Sequence, residues 1–142
     1  MLIDANLLIY ASIEGFDQHA RARDWLDEQL SADRGVGLPW ESLMGFLRVV
    51  TNPRALTRPL SIANAWNQVV AWLDQRCVWI PAPTERHPEI LGGLIAATGA
   101  RGNLVHDAHL ASIAIGHGLS LCSANRDFAR FPGLRWENPI AG

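Results

Sequence analysis

The chain has 142 residues, enough for one domain (1–142) with its own core and no need of disulfide or metal staples. Its 49% apolar and 18% charged composition is a globular, core-rich balance, and a net charge of −2 decides nothing about nucleic acid, since a basic patch can coexist with an acidic site. No run approaches the roughly 20 apolar residues needed to cross a bilayer, and the opening MLIDANLLIYA carries an acid at position 4 and no basic leader, so a cytoplasmic protein without membrane contact is expected.

Met1 to Ile3 is a short apolar run closed by Asp4, and a helix can start in the segment that follows. Run, polar junction and helix together describe a buried parallel strand delivering residues to a sheet edge. Apolar Ala20, Trp25, Leu26 and Leu30 recur at helical spacing from Asp17, the expected N-cap, to Leu30. Val36 to Leu38 is a very short strand, and Pro39 opens a helix that runs to about Val50. After the connector TNPRALTRPLS, Ser61 caps a helix from Ile62 to Asp74. Cys77 to Ile80 is a strand, and Thr84 caps a helix from Glu85 to Thr98. A loop through Asn103 leads to a helix from about Val105 to Ile115, stopped by Gly116-His-Gly118. Leu119 to Ser123 and Leu134 to Glu137 are the last strands. The alternation predicts an α/β domain with a central, mostly parallel sheet flanked by helices. Cys77 and Cys122 lie in apolar runs and read as core thiols in a reducing compartment.

Among fourteen acids, Asp24, Asp27, Glu28, Asp33 and Asp74 fall where a solvated helix face would put them. Three others stand apart. Asp4 closes the first strand, Glu41 falls in the first turn of a helix lined by Leu43, Met44, Leu47 and Val50, and Asp107 is expected in the first turn of HDAHLASIAI. Each has an ordinary explanation: Asp4 as a helix cap, and the other two as acids stabilised by about 0.3–1 kcal/mol at a helix N-terminus. Their combination points elsewhere, because strand ends and the first turns of following helices share the sheet edge where ligands collect. Carboxylates gathered there would raise one another's pKa values unless a cation neutralised them. Hard oxygen donors without a His/Cys set suit Mg²⁺, with Mn²⁺ as a substitute.

Four segments, LIDANLLIYA, PWESLMGFLRVVTNP, LVHDAHLASIAIGHGL and CSANRDFARFPGLRWENP, occur in an order and spacing that cover essentially the whole chain. Together they resemble the motifs of PIN-domain ribonucleases, specifically VapC-type toxins of type II toxin–antitoxin systems. The resemblance implies a Mg²⁺-dependent endoribonuclease that hydrolyses RNA phosphodiester bonds, with a cognate antitoxin and a second copy of the toxin as partners. It maps Asp4, Glu41 and Asp107 onto the first three metal-binding acids, Asn6 onto a polar residue near the site, and Ser123 onto a hydroxyl at a strand end. Relatives often carry an acid where Asn125 stands. Either Asp127 completes the catalytic set, or one cation is held firmly and a second weakly. As an alternative, Asp127 merely caps Phe128–Phe131.

Arg48 and Arg126 are expected contacts for RNA phosphates. All twelve basic residues are arginine, which suits bidentate phosphate contacts, although such usage more often reflects genomic base composition. His106 and His109, three apart, lack the partners of a zinc site. A triad of Ser123, His106 and Asp107 fails because neighbours on a helix point in different directions, and Gly92-Gly93 lies within a helical pattern rather than a phosphate loop. Trp25, Trp66 and Trp72 fit helix cores, while six tryptophans also leave material for an apolar interface. An antitoxin is expected to bury apolar surface near the 17–30 and 41–50 helices. The rival reading is a catalytically degenerate PIN-like module that binds RNA without cutting it, kept open by Asn125.

Overall fold

A computed structural model describes residues 1–141; Gly142, the last residue of the expected domain, lies outside the described residues. The elements, in chain order, are β1 (Leu2–Ile3), α1 (Ala5–Ser12), α2 (His19–Ser31), β2 (Val36–Gly37), α3 (Trp40–Val50), α4 (Ile62–Leu73), β3 (Val78–Trp79), α5 (His87–Thr98), α6 (Asn103–His117), β4 (Leu121–Cys122) and β5 (Trp136–Glu137). A 3-10 helix, Arg126–Arg130, joins the last two strands. The five strands form one sheet in the order β3-β2-β1-β4-β5, and every pairing is parallel. The strands are shorter than their apolar runs suggest.

Helices bury one stripe each against the two faces of this sheet. One core gathers Ile3, Leu8, Leu43, Phe46 and Val69 with the residues of α1 to α4. The other gathers Leu2, Ala111, Ile113, Leu121 and Phe128 around α5 and α6. Leu2 and Ile3 therefore point to opposite faces, as alternation along a strand requires. Both cysteines are free; Cys122 is buried, and burial, followed by the charge of Glu137, pushes its thiol up to about 12. No helix among the described residues is long and apolar enough to cross a membrane.

Several element starts differ from the sequence expectation, each for a local reason. Gln18, not Asp17, precedes α2, where the His19 ring is 2.8 Å from the Tyr10 carbonyl oxygen. The α5 helix begins at His87 rather than Glu85, with Pro88 in its first turn supplying a preset φ and needing no hydrogen-bond acceptor. Thr84 contributes its backbone carbonyl to the His87 N–H instead of a side-chain cap. Ser61 does cap α4, accepting from the Asn64 N–H at 3.1 Å. The α6 helix begins at Asn103, because Gly102 turns the chain at φ 61°, a conformation open to glycine. Asp107 consequently sits in the second turn. Of the tryptophans expected in helix cores, Trp72 is buried and Trp25 partly so, whereas Trp66 is 44% exposed.

Candidate active site

The parallel register decides the centre of the site. Ile3 pairs with Cys122, so the next residue of each strand, Asp4 and Ser123, emerge side by side at the carboxyl edge of the sheet. The Asp4 N–H donates to the Cys122 carbonyl at 3.0 Å, and Ser123 Oγ donates to Asp4 Oδ2 at 2.8 Å. Asp4 also caps α1, its Oδ1 accepting from the Ala5 N–H at 2.8 Å. Asn6 Nδ2 donates to Ser123 Oγ at 3.0 Å and, at 3.4 Å, to Asp4 Oδ2, while Asn6 Oδ1 accepts from the Ala124 N–H. The Asn125 N–H donates to Ser123 Oγ as well. The buried hydroxyl thus gives one hydrogen bond and takes two, its full capacity. Burial raises the pKa of Asp4, opposed by the bonds from Ser123 and Ala5.

Glu41 and Asp107 approach from neighbouring helices. Ser42, buried beside Glu41, donates from Oγ to the Ile3 carbonyl at 2.6 Å and ties the start of α3 to the end of β1. Further along, a Cβ on Gly45 would come within 2.9 Å of the Ala5 Cβ, so glycine sets the approach of α3 to α1. Met44, expected on the buried stripe, instead points outward and is 58% exposed; Phe46 takes the buried place. Asp4, Glu41, Arg48, His106, Asp107 and His109 line a cleft of about 700 Å³. Asp107 is partly buried there, and its pKa is raised to about 6 by desolvation, then by the charges of Asp4 and Asp127. Its place in the second turn leaves it little help from the helix dipole, which acts within the first turn.

Asp127 stands in the first turn of the 3-10 helix, outside the cleft lining but close enough for its charge to act on Asp107. The cap of that helix is Asn125, whose Oδ1 accepts from the Asp127 N–H at 3.0 Å. A neutral amide serves there, holding the backbone N–H of Asp127. Arg130 reaches to within 3.8 Å of Asp127, and Arg126 is exposed beside it.

The cleft also holds a contact that no sequence pattern announces. Glu41 Oε2 lies 2.5 Å from His109 Nε2, and His109 Nδ1 lies 3.0 Å from His87 Nε2. Burial, then the neighbouring His109, lowers the pKa of His87. His109 therefore faces a carboxylate and a second imidazole rather than a zinc set with His106. Among the described residues, no group of three or more His, Cys, Asp or Glu side chains is drawn together into a cation cage. The arrangement is an open acidic cleft with Asp4 and Asp107 at its centre.

A PIN-domain family model matches residues 1–134. The chain belongs to the PIN-domain family. Within that family it sits with VapC-type proteins: it is 39% identical over 140 residues to ribonuclease VapC37 of Mycobacterium tuberculosis, covering 99% of this chain and 97% of the relative. It is also 39% identical over 137 residues to ribonuclease VapC33 of the same species, covering 96% of both. The fold matches the crystal structure of VapBC2 from Rickettsia felis bound to a promoter DNA fragment, with a TM-score of 0.67, 19% identity and 96% of each chain covered. In this PIN domain Asp4, Glu41 and Asp107 line one cleft, and Ser123 is hydrogen-bonded to Asp4 beside it.

Proposed function

We propose that this PIN domain is a Mg²⁺-dependent endoribonuclease and the toxin of a toxin–antitoxin pair, with Mn²⁺ as an alternative ion. The observation that carries the reading is the convergence of Asp4, Glu41 and Asp107 on one cleft, with Asp127 close enough for its charge to act on Asp107. Carboxylates so placed are destabilised in their charged forms, and a divalent cation relieves them. The donor set fits Mg²⁺: hard oxygens, few in number, in an open cleft, for an ion that keeps several waters and takes one or two protein carboxylates. When bound, the ion supplies charge neutralisation at a phosphodiester and activation of water.

The protein's own residues do the rest. Asp4 and Asp107 are the direct ligands, Asp4 held by Ala5, Ser123 and Asn6 so that its carboxylate cannot swing. Glu41 sits across the cleft, where it ligates or orients the attacking water. Asp127 adds negative charge from the 3-10 helix, and Arg48 lines the cleft where an RNA phosphate would enter. The neutral Asn125 is compatible with this reading, because its side-chain oxygen caps the 3-10 helix that carries Asp127.

Ribonuclease is the name carried by its relatives VapC37 and VapC33, and RNA is the proposed substrate here. An antitoxin is the proposed partner, as in the VapBC2 assembly, and a second copy of the chain the proposed dimer mate. The test is cleavage of total cellular RNA by antitoxin-free protein, with and without Mg²⁺, followed by sequencing of the fragments. Mg²⁺-dependent cuts at defined positions, lost in Asp4→Asn and Asp107→Asn, are expected. RNA binding without cleavage at any Mg²⁺ concentration would establish the degenerate module instead.

A further inference from the structure

We propose that His87 and His109 form a relay that positions Glu41, holding one carboxylate oxygen so that Glu41 meets the cation or its water through Oε1. This rests on the metal-dependent reading above and adds two positioning residues to it. The relay joins three helices: Glu41 in the first turn of α3, His109 in the middle of α6, and His87 at the start of α5. The contacts are 2.5 Å and 3.0 Å, and the two rings meet edge to face with centroids 4.9 Å apart.

The proton positions follow from one buried atom. His87 Nδ1 is buried without a hydrogen-bond partner. A bare lone pair tolerates that position better than an N–H, so the His87 proton belongs on Nε2. His87 Nε2–H then donates to His109 Nδ1, which must be unprotonated to accept. The His109 proton is therefore on Nε2 and donates to Glu41 Oε2. Every proton in the chain consequently points toward Glu41.

Glutamate needs such an anchor here more than Asp4 or Asp107 does. Its longer side chain has more rotamers to lose, and the Glu41 and His109 side chains remain 36% and 29% exposed. Asp4 is already fixed by three neighbours, whereas the relay is the hydrogen bond seen on the Glu41 carboxylate. Hydrogen-bonded partners behind a ligating carboxylate typically contribute about 10–100-fold to metal affinity.

The test has a metal-free arm and a metal arm, on the full chain. Nitrogen-15 NMR of the histidine rings should show His87 and His109 each locked in the Nε2–H form, with the His109 signals moving in Glu41→Gln. Mn²⁺ binding, followed by electron paramagnetic resonance, should weaken about tenfold in His109→Ala and recover in His109→Gln, whose amide can still donate. His109→Ala should add nothing to Glu41→Gln, since the relay acts through that carboxylate alone. Averaged tautomers overturn the relay. So does unaltered Mn²⁺ affinity in His109→Ala, or losses that multiply in the double variant. Locked tautomers in a wild-type protein that binds no Mn²⁺ would remove the metal reading, and the proposed role with it, while leaving the hydrogen bonds in place.

Discussion

Asp107 bears two burdens in the folded protein that it lacks in the unfolded chain: partial burial and the charges of Asp4 and Asp127. Its pKa rises from 3.8 to about 6, so between these values the folded state holds a proton that the unfolded state has lost. The stability contribution is full below the unfolded value and is lost as pH rises through the folded one. In chelator, the protein should therefore lose stability between about pH 4 and 6 from this group. Asp107→Asn should flatten that slope and melt higher than the parent above pH 6, by about 1 kcal/mol once solvent screening of a partly exposed group is allowed for. Thermal melts across pH 4–7.5 check this, and an unchanged slope would show that Asp107 is not the group that titrates there. Asn125 offers the complementary change. Aspartate caps a helix as well as asparagine does, so Asn125→Asp should keep Asp127 in place and add a charge. The Mg²⁺ concentration for half-maximal cleavage should fall severalfold, whereas Asp127→Asn should raise it. Asn125→Ala should lose about 1 kcal/mol with the cap and raise the Mg²⁺ requirement through a misplaced Asp127.

The α1–α3 contact turns individual acids into a site, and Gly45 tests it. Alanine there would gain up to about 1 kcal/mol of helix propensity. Its methyl would meet the Ala5 Cβ at 2.9 Å, and Ala5 has no flexible end to move aside. Overpacking of this kind costs about 1–3 kcal/mol, so Gly45→Ala should be destabilising and should impair cleavage by separating Glu41 from Asp4. Gly92 on α5 is the control: it is exposed, with nothing within 4 Å of where an alanine methyl would sit, and Gly92→Ala should stabilise by about 0.5–1 kcal/mol with activity unchanged. Chemical denaturation beside a cleavage assay separates the two effects. The same scale divides what was legible in the sequence from what was not. The α/β alternation and the junction acids Asp4 and Glu41 stand out because each polar residue interrupts an apolar pattern, a local signal. The true start of α6 depends on the φ of Gly102, which no apolar period records, and the outward turn of Met44 and Trp66 depends on neighbouring helices. Ser42 was readable in principle, since it lies on the same helix face as Leu43, Phe46 and Val50. The His87–His109 contact spans 22 residues across two helices and leaves no periodic trace.

At the scale of the molecule, exposed apolar side chains fall on two neighbouring helices, and Met44 among them lines the acidic cleft. Trp40 and Met44 are exposed on α3, and Ile62, Trp66 and Val70 on α4, all spaced at whole helical turns. On α2, Ala22 and Leu26 are turned into the core, and Trp25 and Leu30 are partly buried. A proposed antitoxin that silences the site thus finds apolar surface on α3 and α4 and acids between α3 and α6. An arginine inserted among Asp4, Asp107 and Glu41 would make charge-assisted hydrogen bonds to the carboxylates and take over the neutralising role of the cation. Two ligands that neutralise the same carboxylates exclude each other, and linkage requires the exclusion to be mutual. High Mg²⁺ should therefore weaken antitoxin binding severalfold, while the apolar contact keeps the complex from dissociating altogether. Asp4→Asn removes one of the shared charges, so its complex should form at both low and high Mg²⁺ with nearly equal affinity. A titration of the antitoxin against parent and variant at two Mg²⁺ concentrations, held at constant ionic strength so that general screening does not imitate competition, reads the difference. Equal affinity of the parent at both concentrations would leave the apolar contact standing and place the basic side chain somewhere other than among the acids.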